Sequence, residues 1–231
     1  METKVVDFDI QENIGIIKGL NPPVNALSHQ VRLGLLESLD YLSQDKRVEG
    51  IILIGDGRTF FAGADISEFG KTMKTPILID VVERFEASTK PIMAALHGTP
   101  LGGGLELAMG CNYRVALNTT KMGLPEVKLG IIPGAGGTQR LPRLVGIENS
   151  LKIITSGDPI SAKEAKDYGL IEEHFESNLL ANSKILLKKI LEKNTHPSAK
   201  DLNEKIKDVD NKIFFDYRNK IKKKCVAENL L

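Results

Sequence analysis

The first 60 residues place short apolar runs on either side of a stretch with helical spacing. The runs VVDFDI (5–10) and IGIIK (14–18) are rich in β-forming residues and flank a polar turn, which predicts a β-hairpin. GIILIG (50–55) is apolar between glycines and predicts a buried strand. Between them, apolar residues recur every three or four positions, which predicts a helix with Ser28 as N-cap. These positions are Val31, Leu35, Leu39 and Leu42.

The next 60 residues repeat this alternation. Pro76 is expected in the first turn of a second helix, because proline is tolerated there. PIMAAL (91–96) and NYRVAL (112–117) read as buried strands, and LGGGLELAMG (101–110) between them reads as a glycine-rich turn that opens a helix. Strands that alternate with helices indicate an α/β fold with largely parallel strand pairing.

The remainder of the chain is predicted to be mostly helical. Ser161 and Glu164 have the spacing of a capping box, and Gly169 is a suitable helix end. An amphipathic helix is expected over 178–193. The composition then shifts towards Lys and Asp. We therefore divide the chain into a core, 1–195, and a helical C-terminal segment, 196–231.

Composition narrows the class of protein. The 231 residues are 42% hydrophobic, which suits one large domain or one domain with an appendage. A net charge of +1 gives no reason to expect nucleic acid as a partner. Cys111 and Cys225 form no CxxC motif, and the histidines show no metal-ligand spacing, so no metal site is expected. No secretory signal, membrane span or SKL-type address is seen, which favours an intracellular protein without membrane contact.

Three segments could carry chemistry, although each also has a purely structural explanation. FFAGADI (60–66) puts small residues after a buried strand, where a ligand could approach backbone N–H groups or the chain could simply turn tightly. The three glycines of LGGGLELAMG begin a helix whose N-terminus suits an anion or a developing oxyanion. Glu106 follows in that helix, where an acidic residue is favourable for electrostatic reasons alone. Glu126, after Pro125, could equally be a solvated surface side chain.

Taken together, these segments resemble the crotonase (enoyl-CoA hydratase/isomerase) superfamily. The resemblance extends from Asn21 to Glu173 and rests on four motifs in the family's order and spacing. They are NPPVNALS, FFAGADI, LGGGLELAMGCNYRVA and GLPEVKLGIIPGAGGTQRLPRLVG. Within the superfamily the motifs most resemble the N-terminal hydratase/isomerase part of multifunctional β-oxidation enzymes.

This resemblance implies a spiral of repeated ββα units and a coenzyme A thioester as substrate. It implies an oxyanion hole formed by the N–H groups of Ala64 and Gly103. It also implies two catalytic glutamates, Glu106 and Glu126, and a CoA moiety beside the backbone of Asp65, Ile66 and Ser67. No metal or redox cofactor is expected, since CoA is part of the substrate. The C-terminal helices imply a homotrimer, and a bacterial chain would be cytoplasmic.

The expected reaction is hydration of a 2-enoyl-CoA, and three alternatives stay open. A Δ3-Δ2 enoyl-CoA isomerase would use a single carboxylate, whereas Glu106 and Glu126 are both present. A non-catalytic acyl-CoA- or RNA-binding module would not need both glutamates and both glycine segments. The chain could also be the hydratase/isomerase part of an enzyme that contains a 3-hydroxyacyl-CoA dehydrogenase, whose NAD fingerprint is not in these residues.

Overall fold

A computed structural model describes residues 4–68, 70–193 and 195–228 of the chain. Six strands form one sheet in the order β1-β2-β3-β4-β5-β8, and two short strands, β6 and β7, form a second sheet. The strands are β1 (Val6–Gln11), β2 (Ile14–Gly19), β3 (Gly50–Gly55), β4 (Ile92–Leu96), β5 (Tyr113–Leu117), β6 (Lys121–Met122), β7 (Ile160–Ser161) and β8 (Glu173–Phe175). Only β1 and β2 pair antiparallel in the large sheet, so the predicted hairpin and the predicted parallel pairing are both confirmed.

The helices follow the strands in the predicted alternation. They are α1 (His29–Gln44), α2 (Leu78–Glu86), α3 (Gly103–Gly110), α4 (Gly137–Val145), α5 (Ile147–Ser156), α6 (Ala162–Tyr168), α7 (Leu179–Leu191) and α8 (Lys212–Glu228). Short 3-10 helices lie at Ile66–Glu68, Pro125–Leu129, Ala199–Asp201 and Glu204–Ile206. The predicted caps are present, since the hydroxyl of Ser28 accepts from Val31 and Ser161 forms a reciprocal capping box with Glu164.

The expectation for Pro76 is wrong. Helix α2 begins two residues later, at Leu78, with Ile77 as its N-cap. The carboxylate of Asp80 accepts a hydrogen bond from the Ile77 N–H at 2.9 Å, which fixes the helix start there. Pro76 lies outside the helix, and its carbonyl accepts from Arg32 Nε at 2.8 Å.

Each turn of the chain adds a strand of the large sheet, a short bridging segment and a helix. The bridging segments pair with one another, as the parallel bridges between Leu27 and Ala64 and between Leu101 and Gly123 show. This repetition is the ββα spiral implied by the resemblance. Because the bridges align the ends of successive turns, Ala64 and the start of α3 are brought to the same side of the molecule.

The large sheet is buried on both faces. One face packs against the earlier helices, through residues such as Ile51 and Leu53. The other packs against α7, where Ile52 and Met93 meet Leu187. This two-sided burial explains why β3 and β4 are continuous apolar runs.

Two further findings concern the cysteines and the apolar character of the helices. Cys111 is buried and unpaired, whereas the side chain of Cys225 and residues 229–231 of the predicted C-terminal segment lie outside the described part. Among the described residues, no helix combines the length and apolar character needed to cross a membrane.

Candidate active site

One cavity of about 340 Å³ lies between the bridging segment at Ala64, the start of α3 and the loop that precedes α4. Five of the seven residues predicted for the site line this cavity, namely Ala64, Ile66, Gly103, Glu106 and Glu126. Asp65 and Ser67 are not among the lining residues. They belong to the same turn, in which the Asp65 carboxylate accepts from the Ser67 N–H at 2.9 Å.

Two residues that line the cavity, Ala64 and Gly103, have backbone N–H groups with no acceptor among the described residues. Within the described parts of the chain, neither Ala64 nor Gly103 donates a backbone hydrogen bond. Gly103 is the first residue of α3, so its N–H has no acceptor within the helix. A methyl group built on Gly103 would lie 3.4 Å from the Ala64 nitrogen, so the two segments approach closely. The pair can therefore bind one oxygen atom that carries negative charge.

The glycines around Gly103 are required by this close approach. Gly102 has φ +50°, and a methyl group on it would lie 2.8 Å from Glu126 Oε1. A methyl group on Gly104 would lie 1.8 Å from the carbonyl oxygen of Phe61, well inside van der Waals contact. Glycine at these positions allows α3 to begin directly against the bridging segment and against Glu126.

Glu106 is buried and firmly held. Its side chain leaves the first turn of α3, and the residue is 2% exposed. Its Oε1 accepts hydrogen bonds from the Ala135 N–H at 2.8 Å and from the Gly137 N–H at 2.7 Å. Because both donors belong to the backbone that leads into α4, the orientation of the carboxylate depends on that loop.

Glu126 has a different environment. It lies in the first turn of the 3-10 helix Pro125–Leu129 and is 9% exposed, so it is not the solvated side chain that its local sequence allowed. No described residue donates a hydrogen bond to its Oε2, although that atom is buried. This environment favours the protonated form of the carboxyl group, since a buried charge without a partner costs much more free energy than a neutral acid.

Burial dominates the electrostatics of both carboxyl groups. The pKa of Glu106 is raised to about 7, chiefly by burial; the hydrogen bond from the Gly137 N–H lowers it, and the negative charge of an ionised Glu126 raises it. Burial also raises the pKa of Glu126. Both groups can therefore exchange protons closer to neutral pH than an ordinary glutamate, as acid–base catalysis requires.

The apolar wall of the cavity could not be predicted from the sequence. Periodicity separates buried from exposed positions, but it does not separate core residues from cavity residues. Ile131 and Ile132 line the cavity and are 48% and 70% exposed. The sequence shows only that an apolar pair follows Gly130, and their exposure becomes visible in the structure alone. The other apolar lining residues include Met73, Ile77, Leu78, Ile79, Leu101 and Leu129.

The fold and the cavity together define a crotonase-type α/β protein. Residues 9–214 match the family model described as Enoyl-CoA hydratase/isomerase. The chain therefore belongs to the enoyl-CoA hydratase/isomerase family.

Comparison with individual proteins agrees with this assignment. The chain is 44% identical over 203 residues to a probable enoyl-CoA hydratase of Bacillus subtilis, covering 84% of this chain and 79% of that protein. It is 43% identical over 169 residues to a peroxisomal bifunctional enzyme of Danio rerio, covering 73% of this chain but only 24% of that enzyme. The crystal structure of an enoyl-CoA hydratase from Bacillus anthracis superimposes with a TM-score of 0.75 at 32% identity, covering 94% of this chain and 88% of that one.

Proposed function

We propose that this chain is an enoyl-CoA hydratase that adds water, in syn fashion, to a 2-enoyl-CoA and gives a 3-hydroxyacyl-CoA, as in fatty-acid β-oxidation. The proposal rests on one observation, the set of chemical groups that line a single cavity. Two buried carboxyl groups, Glu106 and Glu126, share it with two N–H groups that have no described acceptor, those of Ala64 and Gly103.

The two N–H groups are the proposed oxyanion hole. Attack of water at C3 moves negative charge onto the thioester oxygen, which the N–H groups of Ala64 and Gly103 would stabilise as the enolate forms. Donors of this kind contribute about 2.7–4 kcal/mol each to transition-state stabilisation. Because they are fixed before the substrate arrives, no reorganisation is needed during the reaction.

The two carboxyl groups have separate proposed roles. Glu106 orients and activates the water, because its Oε1 is held by two N–H donors and its Oε2 can accept from the water. Glu126 donates a proton to C2, because its unpartnered Oε2 favours the protonated acid. Hydration involves no net oxidation or reduction, so no redox cofactor is needed, and in this proposal the two carboxyl groups carry out the proton transfers without a metal.

The CoA moiety is proposed to lie beside the turn formed by Asp65, Ile66 and Ser67, with Ile66 at the edge of the cavity. The acyl chain would then occupy the apolar part of the cavity. Acyl-CoA is the only partner that this function requires besides the other copies of a homotrimer, and a bacterial chain would act in the cytoplasm.

Isomerisation of a Δ3-enoyl-CoA on the same site is the second candidate. One carboxyl group must carry a proton between C4 and C2, and the Oε2 of Glu126 has no hydrogen bond from a described residue to restrain it. The wild-type chain and each variant should therefore also be assayed with a Δ3-enoyl-CoA substrate. A further alternative is that the chain is the hydratase/isomerase part of a bifunctional enzyme that also contains a 3-hydroxyacyl-CoA dehydrogenase.

The decisive measurement follows the loss of the conjugated enoyl-thioester absorbance of crotonyl-CoA. We expect Glu106→Gln and Glu126→Gln each to lower kcat by about 10²–10⁴-fold, since general acid–base groups contribute this much. Glu37→Gln, at an exposed position of α1, is the matched control and should keep wild-type activity. A folded wild-type chain that binds CoA thioesters but neither hydrates nor isomerises them would overturn the proposal.

A further inference from the structure

A buried ion pair lies outside the cavity, behind the loop that holds Glu106. Arg140 Nη2 and Glu86 Oε2 are 2.7 Å apart, with side chains only 9% and 7% exposed. Neither residue lines the cavity, and the proposed reaction does not use them. Two charges taken out of water need additional hydrogen bonds to offset their desolvation, and each end of this pair has one, although the buried Arg140 Nε has no acceptor among the described residues.

One end of the pair is joined to Glu106 through a single residue. Arg140 Nη1 donates to the carbonyl oxygen of Ala135 at 3.0 Å, and the N–H of Ala135 donates to Glu106 Oε1 at 2.8 Å. Gly137, the first residue of α4, gives Glu106 its second donor. The guanidinium group therefore holds the backbone that orients the carboxylate.

The other end joins two further elements. Glu86 is the last residue of α2, and its Oε1 accepts from the Lys200 N–H at 3.1 Å. Helix α2 begins at Leu78, which packs so closely on Gly103 that an added methyl group would lie 2.5 Å from its Cδ2. The ion pair thus links α4 to the helix that packs against the proposed oxyanion hole and to the 3-10 helix at 199–201.

The positive charge of Arg140 also affects the ionisation of Glu106. Among the described residues, two ionisable side chains act on the charge of Glu106, Glu126 from the 3-10 helix Pro125–Leu129 and Arg140 from α4. Glu126, when it is ionised, favours the protonated form of Glu106, whereas the positive charge of Arg140 favours the ionised form. Glu86 fixes the guanidinium at the position from which it acts.

We propose that Arg140, held by Glu86, is a positioning residue that fixes the backbone at 135–137 and through it the orientation of the Glu106 carboxylate. The inference rests on the proposed function, in which Glu106 activates the attacking water. Arg140 itself touches neither the water nor the acyl group.

The first test compares Arg140→Met with Arg143→Met. Arg143 lies on the same helix, and its guanidinium donates only to the Gln139 carbonyl among the described residues. We expect Arg140→Met to lower kcat by on the order of ten- to hundredfold with little change in KM, because a misplaced catalytic group costs that much. We expect Arg143→Met to keep both constants. A folded Arg140→Met chain with wild-type kcat would overturn the inference.

The second test measures the Glu106 carboxyl group without catalysis. In chains with carbon-13-labelled glutamate carboxyl groups, the resonance lost in Glu106→Gln identifies Glu106. We expect its titration midpoint near pH 7 in the wild type, at a higher pH in Arg140→Met and at the wild-type pH in Arg143→Met. If no chain hydrates crotonyl-CoA, the proposed function fails, yet this titration still decides whether Arg140 acts on Glu106.

Arg140→Lys keeps the experiment decisive if the methionine variant does not fold. Lysine keeps a positive charge opposite Glu86 but lacks the planar fork that binds Glu86 and the Ala135 carbonyl together. We expect a wild-type titration midpoint for Glu106 with a reduced kcat, which separates the charge from the orientation. A folded Arg140→Lys chain with wild-type kcat would refute the positioning role.

Discussion

Glu106 and Glu126 face one cavity from different backbone environments, and this difference limits what each carboxyl group can do. Two N–H groups favour the ionised form of Glu106, and its Oε1 cannot turn away from them. Glu126 has a buried oxygen, Oε2, to which no described residue donates a hydrogen bond, so its neutral form is more stable there than its ionised form. Their closeness in the cavity adds a repulsion that disfavours ionisation of both at once.

This assignment predicts the pH dependence of the reaction. Glu106 must be ionised to accept a proton from water, and its pKa is raised to about 7. The value of kcat/KM should therefore fall as the pH drops through about 7, by roughly tenfold per pH unit below the midpoint. Activity that persists undiminished well below pH 7 would show that Glu106 does not act as the base and would contradict this assignment.

The crowding at Gly104 predicts a large loss of stability on a minimal substitution. Gly104→Ala would place a methyl group 1.8 Å from the Phe61 carbonyl oxygen, and the neighbouring atoms are backbone atoms of Phe61 and Gly63, which leaves little room to adjust. We expect the free energy of unfolding to fall by about 3 kcal/mol or more, measured by urea denaturation. Gly134→Ala is the control, since no atom lies within 4 Å of its added methyl group. Equal stability of the two variants would contradict the predicted clash.

At the scale of elements, the sequence predicts what depends on local pattern. Alternating apolar runs and helical spacing are sufficient to predict the order of strands and helices, and the glycine run predicts the start of α3. The burial of Glu126 and the Arg140–Glu86 pair depend on residues far apart in the chain, 54 positions in the case of the pair. The start of α2 was misplaced because the cap formed by Asp80 outweighs the preference of Pro76 for a first turn.

One further element depends on such a distant contact. In the segment between Asp65 and Pro76, the described residues form only the short 3-10 helix Ile66–Glu68, and Arg32 of α1 binds several of them. The Arg32 guanidinium is 2.8 Å from Glu68 Oε2 and also donates to backbone carbonyl oxygens of Leu27, Lys74 and Pro76. This segment includes Ile66 and the proposed CoA-binding turn, so its position should affect substrate binding more than chemistry.

We therefore expect Arg32→Met to raise KM for crotonyl-CoA by on the order of tenfold with a smaller change in kcat. Amide hydrogen exchange of the segment should become faster, because its tethers to α1 are lost. Arg47→Met is the control, since Arg47 is largely exposed and pairs with Asp45 instead. Unchanged exchange and an unchanged KM in a folded Arg32→Met chain would show that the segment holds its position without Arg32.

At the scale of the whole molecule, the predicted boundary at residue 195 stays a prediction, and the contacts around it divide the C-terminal segment in two. The hydroxyl of Tyr113 is 2.9 Å from His196 Nδ1, and Lys205 Nζ donates to the Leu144 carbonyl at 2.5 Å. Residues up to about 206 therefore pack on the core. Beyond them, α8 exposes Phe214 and Phe215 to 45% and 65% in the single chain.

The exposed face of α8 is the basis of the last prediction, that the chain forms the homotrimer implied by its resemblance to crotonases. Adjacent exposed phenylalanines are costly in water and are typical of a surface that another protein covers. We expect sedimentation equilibrium to give three times the mass of one chain. Phe215→Asp should shift the distribution towards single chains, whereas Asp216→Ala, one residue further along α8, should not. A wild-type chain that stays monomeric at all concentrations would contradict this prediction and would mean that the phenylalanines serve another contact.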